Sequence, residues 1–200
     1  MPTIRRSVYV GLGGTGIKAI ANAKKMYEDI FGEGNIPPQI AFVAIDFDKA
    51  IVNDQKLPTR IDDDFITLPS GVNPHHTYVN MASRGMYQWL FPKNADYLPD
   101  SIEDGAAQVR TTGRLLTELI MANIVPKIDQ AMQSVTNLAA GAEGYNVSED
   151  SRVDVHVAMS LAGGTGCGSF INIAQLIKEK YGSKITLYGY GVLYSVFRAM

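Results

Sequence analysis

Two glycine-rich segments, each directly after an apolar run, are the parts of this chain whose residue types and spacing best suit chemistry. The first is GLGGTG at residues 11–16, and the second is AGGTGCG at residues 162–168. Glycine lets an anion approach backbone N–H groups without a Cβ in the way, and a helix that begins there adds the positive end of its dipole. Two such turns on one sheet edge predict a polyphosphate site, in which each turn holds part of the ligand.

The first glycine-rich segment also fits the dinucleotide fingerprint G-x-G-x-x-G. Asp46 ends the next apolar run, where an acid that binds a ribose would lie. An NAD(P)-binding Rossmann-type oxidoreductase domain is therefore an alternative interpretation, although it leaves the second glycine-rich segment unexplained. The phosphate-loop pattern G-x-x-x-x-G-K-[ST] does not fit, because Ile17 separates Gly16 from Lys18 and no Ser or Thr follows.

Alternating strand and helix patterns would position both segments. Short β-prone apolar runs predict strands at residues 7–12, 39–46, 65–71, 152–161 and 185–197. Helical spacing follows each glycine-rich segment, and it closes at Gly182 in the second case. A strand–helix–strand order implies a right-handed parallel crossover. The chain is therefore predicted to be α/β, with three α/β/α layers around a mostly parallel, Rossmann-like sheet.

The region between the two glycine-rich segments is less regular. A helical pattern runs from Gly105 to Pro126, where the ring is expected to kink or break the helix, and a second helical piece follows. Residues 72–103, with several prolines and an aromatic run, are interpreted as an insertion with one short helix. Residues 139–151 are small and polar, so they predict an exposed loop.

The composition excludes several functional classes. The 200 residues are 46% hydrophobic and 19% charged, as in a globular domain, and the formal net charge of −2 predicts no nucleic-acid partner. A single cysteine excludes an internal disulfide framework and a cysteine-based zinc cluster. No signal peptide and no apolar stretch long enough to span a bilayer are visible, so a cytoplasmic location is expected.

The second glycine-rich segment closely resembles the tubulin/FtsZ signature, which is a small residue, GGTG, a small residue and glycine. Cys167 stands where Ser, Ala or Thr is more usual. VYVGLGGTGIKAI resembles the first glycine loop of FtsZ, and AFVAIDFDKAI resembles its second strand and acidic loop. FITLPSG and DGAAQVRTTGRLL resemble the third loop, split by the insertion. The resemblance covers most of residues 7–197 and points to the N-terminal nucleotide-binding part of a tubulin/FtsZ-like GTPase.

This resemblance implies that GTP or GDP binds with its phosphates between the loops. The residues implied for nucleotide binding are Gly11, Gly13, Gly14, Thr15, Gly16, Lys18, Asp46, Gly105, Ala106, Ala107, Ala162, Gly163, Gly164, Thr165, Gly166, Cys167 and Gly168. Asp46 and Asp48 would help to hold a hydrated Mg²⁺. Gly164→Val is expected to abolish nucleotide binding and to leave the fold intact.

No catalytic residue is assigned. In the tubulin/FtsZ family, the segments that grip guanine and ribose, and the acid that activates water, follow the fifth strand. The chain is therefore expected to be a truncated piece that binds nucleotide weakly and hydrolyses it poorly. In the full-length protein the resemblance implies self-association into filaments, with hydrolysis completed by a second subunit. A non-hydrolysing scaffold that uses residues 72–103 to bind a partner is a further alternative.

Overall fold

A computed structural model describes residues 2–61, 65–67, 72–82, 89, 96, 98–99, 101–102, 105–106, 108–136, 144–193 and 195. The strands are β1 (Thr3–Ile4), β2 (Ser7–Leu12), β3 (Ile40–Ile45), β4 (Phe65–Ile66), β5 (Asn146–Val147), β6 (Val153–Ser160) and β7 (Ile185–Val192). The helices are α1 (Gly13–Phe31), α2 (Pro74–Ala82), α3 (Arg110–Leu119), α4 (Met121–Thr136) and α5 (Gly164–Tyr181). None of the described helices is long and apolar enough to cross a membrane.

The main sheet has five parallel strands in the order β4-β3-β2-β6-β7, and β1 pairs with β5 in a separate parallel pair. The strands read as continuous apolar runs because helices cover the sheet on two faces. Helix α1 packs on one face through Ile17 and Ile20, and α4 and α5 pack on the other through Ile124 and Ile173. The predicted α/β fold with a mostly parallel, Rossmann-like sheet is confirmed.

The helical region after residue 105 differs from the prediction. The helix break lies at Ile120, between α3 and α4, and Pro126 lies inside α4. The expectation that Pro126 breaks the helix is therefore wrong. Proline removes one backbone hydrogen bond, but the buried face of α4, with Ile124, Ile128 and Val135, holds that helix against the sheet.

The predicted exposed loop at 139–151 also differs, within the part that the structure describes (144–151). Tyr145 is buried, and its hydroxyl donates to Oε1 of the buried Gln39 at 3.1 Å. The ring lies edge-on to Phe31, with 5.6 Å between centroids. Tyr145 therefore packs this polar segment against the amino end of the sheet. In the described part of the interpreted insertion, α2 forms a short helix; residues 83–88, 90–95, 97, 100 and 103 lie outside the described residues.

Candidate functional site

The two glycine-rich segments lie side by side. Strands β2 and β6 are adjacent and parallel, with Leu12 opposite Met159, so both turns leave the same edge of the sheet. A Cβ placed on Gly13 would lie 3.1 Å from the backbone nitrogen of Gly166 and 3.3 Å from Cβ of Thr165. The two turns therefore contact each other, which is what a shared ligand site requires.

A cavity of about 210 Å³ opens where these turns meet. The predicted site residues that line it are Gly13, Gly14, Thr15, Asp46, Asp48, Gly105, Ala106, Gly163, Gly164, Thr165 and Gly166. Four further residues line it that the sequence did not single out: Leu12, Ile51, Gln108 and Ser160. Residues from four separate segments of the chain are thus brought to one place.

Three predicted glycines have a packing role outside the cavity lining. A Cβ on Gly11 would lie 2.8 Å from the carbonyl oxygen of Gly16, and one on Gly16 would lie 2.2 Å from that of Ala158 in β6. A Cβ on Gly168 would lie 2.4 Å from the carbonyl oxygen of Arg110. Real Cβ atoms do not approach this closely, so these positions let helices α1 and α5 come against neighbouring backbone.

The remaining predicted site residues also lie outside the cavity lining. Lys18 is exposed, and its Nζ forms an ion pair with Oδ2 of Asp54 at 3.0 Å. The amide of Ala162 donates to Oγ of Ser160 at 3.1 Å, and Cys167 has a free, half-buried thiol. Ala107 lies outside the described residues.

Both helices that begin at the cavity have uncapped amino ends. Leu12 precedes α1 and Gly163 precedes α5; neither supplies a side-chain acceptor, and neither helix has an acidic residue in its first turn. The first N–H groups of a helix have no partner within the helix, and they carry the positive end of its dipole. The first turns of α1 and α5 therefore both bring free N–H groups to residues that line one cavity. This arrangement is suited to binding an anion.

The acidic loop after β3 supplies the opposite charge. Asp46 is only 5% exposed, and its Oδ1 accepts hydrogen bonds from Oγ1 of Thr165 and from the amide of Phe47, both at 2.8 Å. Burial raises the pKa of Asp46, partly offset by these hydrogen bonds. Asp48 is half-buried, and its Oδ1 accepts from the amide of Ala50 at 2.8 Å.

These two carboxylates fit one kind of metal site. Within the described ranges, no group of three or more His, Cys, Asp or Glu side chains could hold a metal ion. Mg²⁺ beside a nucleotide uses one or two carboxylates, with phosphate and water oxygens completing its shell. Asp46 and Asp48 line the same cavity as the uncapped helix ends, so the donor set suits a magnesium ion that arrives with a phosphate ligand.

The third loop packs against both the acidic loop and the second glycine-rich segment. Gly105 has φ of +70°, and a Cβ there would lie 3.3 Å from the backbone nitrogen of Asp48. A Cβ on Gly164 would lie 2.8 Å from the carbonyl oxygen of Ala106 and 2.9 Å from the amide nitrogen of Val109. Gly164→Val would therefore collide with backbone, so we expect it to disturb the fold, contrary to the expectation from the sequence.

Gln108 is the most unusual of the residues that the sequence analysis missed. It is exposed at the cavity and has φ of +60°, a conformation that side chains other than glycine, asparagine and aspartate rarely adopt. No local sequence pattern marks it. Leu12 and Ser160 could have been found, because Leu12 lies within the first glycine-rich segment and Ser160 lies two residues before the second.

A comparison with protein families gives a match between residues 8–197 and the family described as tubulin like. The chain belongs to this tubulin-like family. Comparison with curated proteins gave no match. Among solved structures, the tubulin-like chain is similar to CetZ1 from Haloferax volcanii, described as a GDP-bound monomer, with 16% identity over 96% of this chain and a TM-score of 0.52. It is also similar to CetZ2 from Haloferax volcanii, described as a GTPgS-bound protofilament, with 19% identity over 96% of this chain and a TM-score of 0.51.

At these identities the likeness shows a common fold. The tubulin-like chain spans 41% of the length of the CetZ1 chain and 39% of that of the CetZ2 chain.

Proposed function

We propose that this chain binds GTP or GDP, with the phosphates held between the two glycine-rich segments. The observation that carries the proposal is the pair of uncapped helix N-termini that meet at one cavity on adjacent parallel strands. Each helix end is equivalent to roughly half a positive charge. No side chain caps either end, so an external anion is the natural partner for these N–H groups.

The dimensions of the cavity favour the phosphate part of a nucleotide. At about 210 Å³ it is smaller than the roughly 300–1,000 Å³ that encloses a drug-sized ligand. Phosphate groups would enter between Gly13 and Gly163, and the ribose and base would extend beyond the described lining. Guanine is proposed as the base because of the family and the GDP- and GTPgS-bound structural neighbours.

Magnesium is part of the proposal. When bound, Mg²⁺ would neutralise charge between the phosphates and the acidic loop. Asp48 is the better placed of the two carboxylates, because it is half-buried and accepts one hydrogen bond, from the amide of Ala50, whereas Asp46 is buried and its Oδ1 accepts two. The side chain of Asp48 would orient water molecules of the hydrated ion, and Asp46 would support the loop behind it.

Assembly and hydrolysis belong to the whole protein in this proposal. The protofilament form of CetZ2 supports self-association into filaments for a tubulin-like protein. Hydrolysis of GTP would need a second subunit to close the site. We also propose a cytoplasmic location for this activity.

A ligand panel tests the nucleotide proposal. The chain would be titrated with GTP, GDP, ATP and NADH in Mg²⁺ buffer while the unfolding midpoint Tm is followed by differential scanning fluorimetry. A ligand that binds only the folded state at about 100 times its Kd adds about 2.7 kcal/mol to stability. GTP and GDP are expected to raise Tm more than ATP or NADH.

Two other outcomes, one from this ligand panel and one from a light-scattering measurement, would favour a different function. A shift with NADH and none with GTP would support the oxidoreductase interpretation and contradict ours. Light scattering of the full-length protein with GTP and Mg²⁺ then separates a filament former from a scaffold. A flat trace in that measurement favours the non-hydrolysing scaffold.

A further inference from the structure

We propose that Asp46 and Thr165 form a buried positioning pair that fixes the first turn of α5 at the phosphate cavity, with Asp46 acting through Thr165 and not as a magnesium ligand. This inference rests on the proposed function for its effect on nucleotide binding. It reassigns two residues that the family resemblance implicates in direct contact with metal or phosphate.

The pair joins two distant parts of the chain. Oγ1 of Thr165 donates to Oδ1 of Asp46 at 2.8 Å, across 119 positions of sequence. Asp46 directly follows β3, and Thr165 lies in the first turn of α5, which follows β6; β2 lies between these two strands. Thr165 is 7% exposed, and Asp46 is 5% exposed. A hydrogen bond shielded from water in this way restrains both partners more strongly than an exposed one.

The hydroxyl of Thr165 is committed by this contact. A threonine hydroxyl has one proton to donate, and here that proton goes to Asp46. Thr165 can therefore offer its backbone N–H to a phosphate while its side chain holds the turn in place. Since Gly163 provides no side-chain cap for α5, the contact to Asp46 is a side-chain restraint on the first turn.

The carboxylate of Asp46 is also largely committed. Its Oδ1 accepts two hydrogen bonds, one from Oγ1 of Thr165 and one from the backbone amide of Phe47. Each carboxylate oxygen has about two acceptor sites, so Oδ1 has no capacity left for a metal. Its second oxygen lies 3.9 Å from the position of a Cβ on Gly14, so the carboxylate is wedged between both glycine-rich segments and the acidic loop.

The test compares variants that break the hydrogen bond with variants that keep it. Asp46→Ala and Thr165→Val remove the acceptor and the donor, whereas Asp46→Asn and Thr165→Ser keep them. For each we would measure GDP affinity with and without Mg²⁺, and hydrogen exchange of the amides at 164–167 in the nucleotide-free protein. Asp29→Ala, an exposed acid paired with Lys25 on α1, serves as the matched control.

We expect Asp46→Ala and Thr165→Val each to lower GDP affinity by at least about tenfold, because each removes the hydrogen bond that holds the phosphate-binding N–H groups of the first turn in place. The double variant should be no weaker than the weaker single variant, and exchange of the first-turn amides should accelerate in all three. The conservative variants Asp46→Asn and Thr165→Ser should retain most of the wild-type GDP affinity. The ratio of GDP affinities with and without Mg²⁺ should be the same in Asp46→Asn as in the wild type.

Three other results would contradict the proposal that Asp46 and Thr165 act as a positioning pair. If Asp46→Asn loses the Mg²⁺ dependence and as much affinity as Asp46→Ala, Asp46 is a metal ligand. Additive losses in the double variant would show that the two residues act separately. If the wild-type chain binds no guanine nucleotide, the proposed function fails, and the exchange measurement still decides the pair: unchanged exchange in Thr165→Val would refute it. Should Asp46→Ala not fold, Thr165→Val and the two conservative variants give the same decision.

Discussion

The two glycine-rich segments share one pattern, a strand followed by glycines and a helix, but they use their glycines differently. In the first, Gly11 and Gly16 seat α1 against the sheet, while Gly13 and Gly14 line the cavity. In the second, Gly164 both lines the cavity and lies against the backbone of the third loop. The closest backbone approaches in the first segment therefore lie outside the cavity lining, whereas in the second segment Gly164 and Gly166 both line the cavity and lie against backbone.

This difference explains why glycine content alone does not identify a binding residue. Gly163 is the exception within the second segment. A Cβ there would meet only Cβ of Ser160, at 3.8 Å, and its φ of −85° is open to any residue. The second segment thus offers one position at which binding can be changed without disturbing the packing. Substitutions at Gly168, Gly163, Gly13 and Lys18 test this comparison, with expected effects that fall in that order.

The largest effect is expected for Gly168→Ala. Its Cβ would lie 2.4 Å from the carbonyl oxygen of Arg110 and 2.6 Å from the amide nitrogen of Arg114, so α3 and α5 must move apart. We expect the free energy of unfolding, measured with urea, to fall by about 3 kcal/mol. Gly189→Ala is the control, because a Cβ there has nothing within 4 Å. Equal stability of the two variants would contradict the packing role.

The next effect is expected for Gly163→Val, and it concerns binding. The branched side chain would occupy the cavity mouth, and we expect GDP affinity to fall by about thirtyfold, or about 2 kcal/mol. The free energy of unfolding should change by less than about 0.5 kcal/mol. Gly164→Val is the comparison, since its Cβ would meet backbone at 2.8 Å. Calorimetric titration measures the GDP affinity, and urea unfolding measures the free energy of unfolding. If Gly163→Val keeps full GDP affinity, Gly163 is not part of the binding site.

A smaller effect is expected within the first segment. Gly13 has φ of +70°, so Gly13→Ala should lower the free energy of unfolding by about 1–2 kcal/mol. Gly14 is the neighbour for comparison, because its Cβ would meet Cδ1 of Ile51 at 3.6 Å, an ordinary contact. Gly14→Ala should leave stability within about 0.5 kcal/mol of the wild type. Thermal unfolding of the two variants side by side checks this, and the reverse order would be inconsistent with the turn described here.

The smallest effect is expected for Lys18→Ala. Lys18 follows the first segment in sequence, but its ammonium group pairs with Asp54 away from the cavity lining. Exposed ion pairs contribute little, so GDP affinity should stay within about twofold of the wild type at physiological salt. A tenfold loss in the same titration would mean that Lys18 turns towards the phosphates when nucleotide binds.

Much of the fold could be predicted from local patterns. Strand β2 has the predicted bounds, and β3 and β6 differ from theirs by one residue at each end. The errors arose where long-range packing overrode a local preference. Pro126 lies within α4 because the buried face of that helix outweighs one lost hydrogen bond. Tyr145 is buried because its side chain reaches Gln39 and Phe31, which are distant in sequence.

The sequence by itself determined the family, the positions of the five main-sheet strands along the chain, and the two glycine turns, because strand patterns, turn chemistry and the family signature depend on residues close together in the chain. Only the tertiary structure decided which glycines line the cavity and which lie against backbone. It also brought Thr165 to Asp46 and the third loop to Gly164. The physical reason is the parallel register of β3, β2 and β6, which sets how close the loops after these strands lie at the sheet edge. No local sequence pattern encodes the distances between loops that are far apart in the chain.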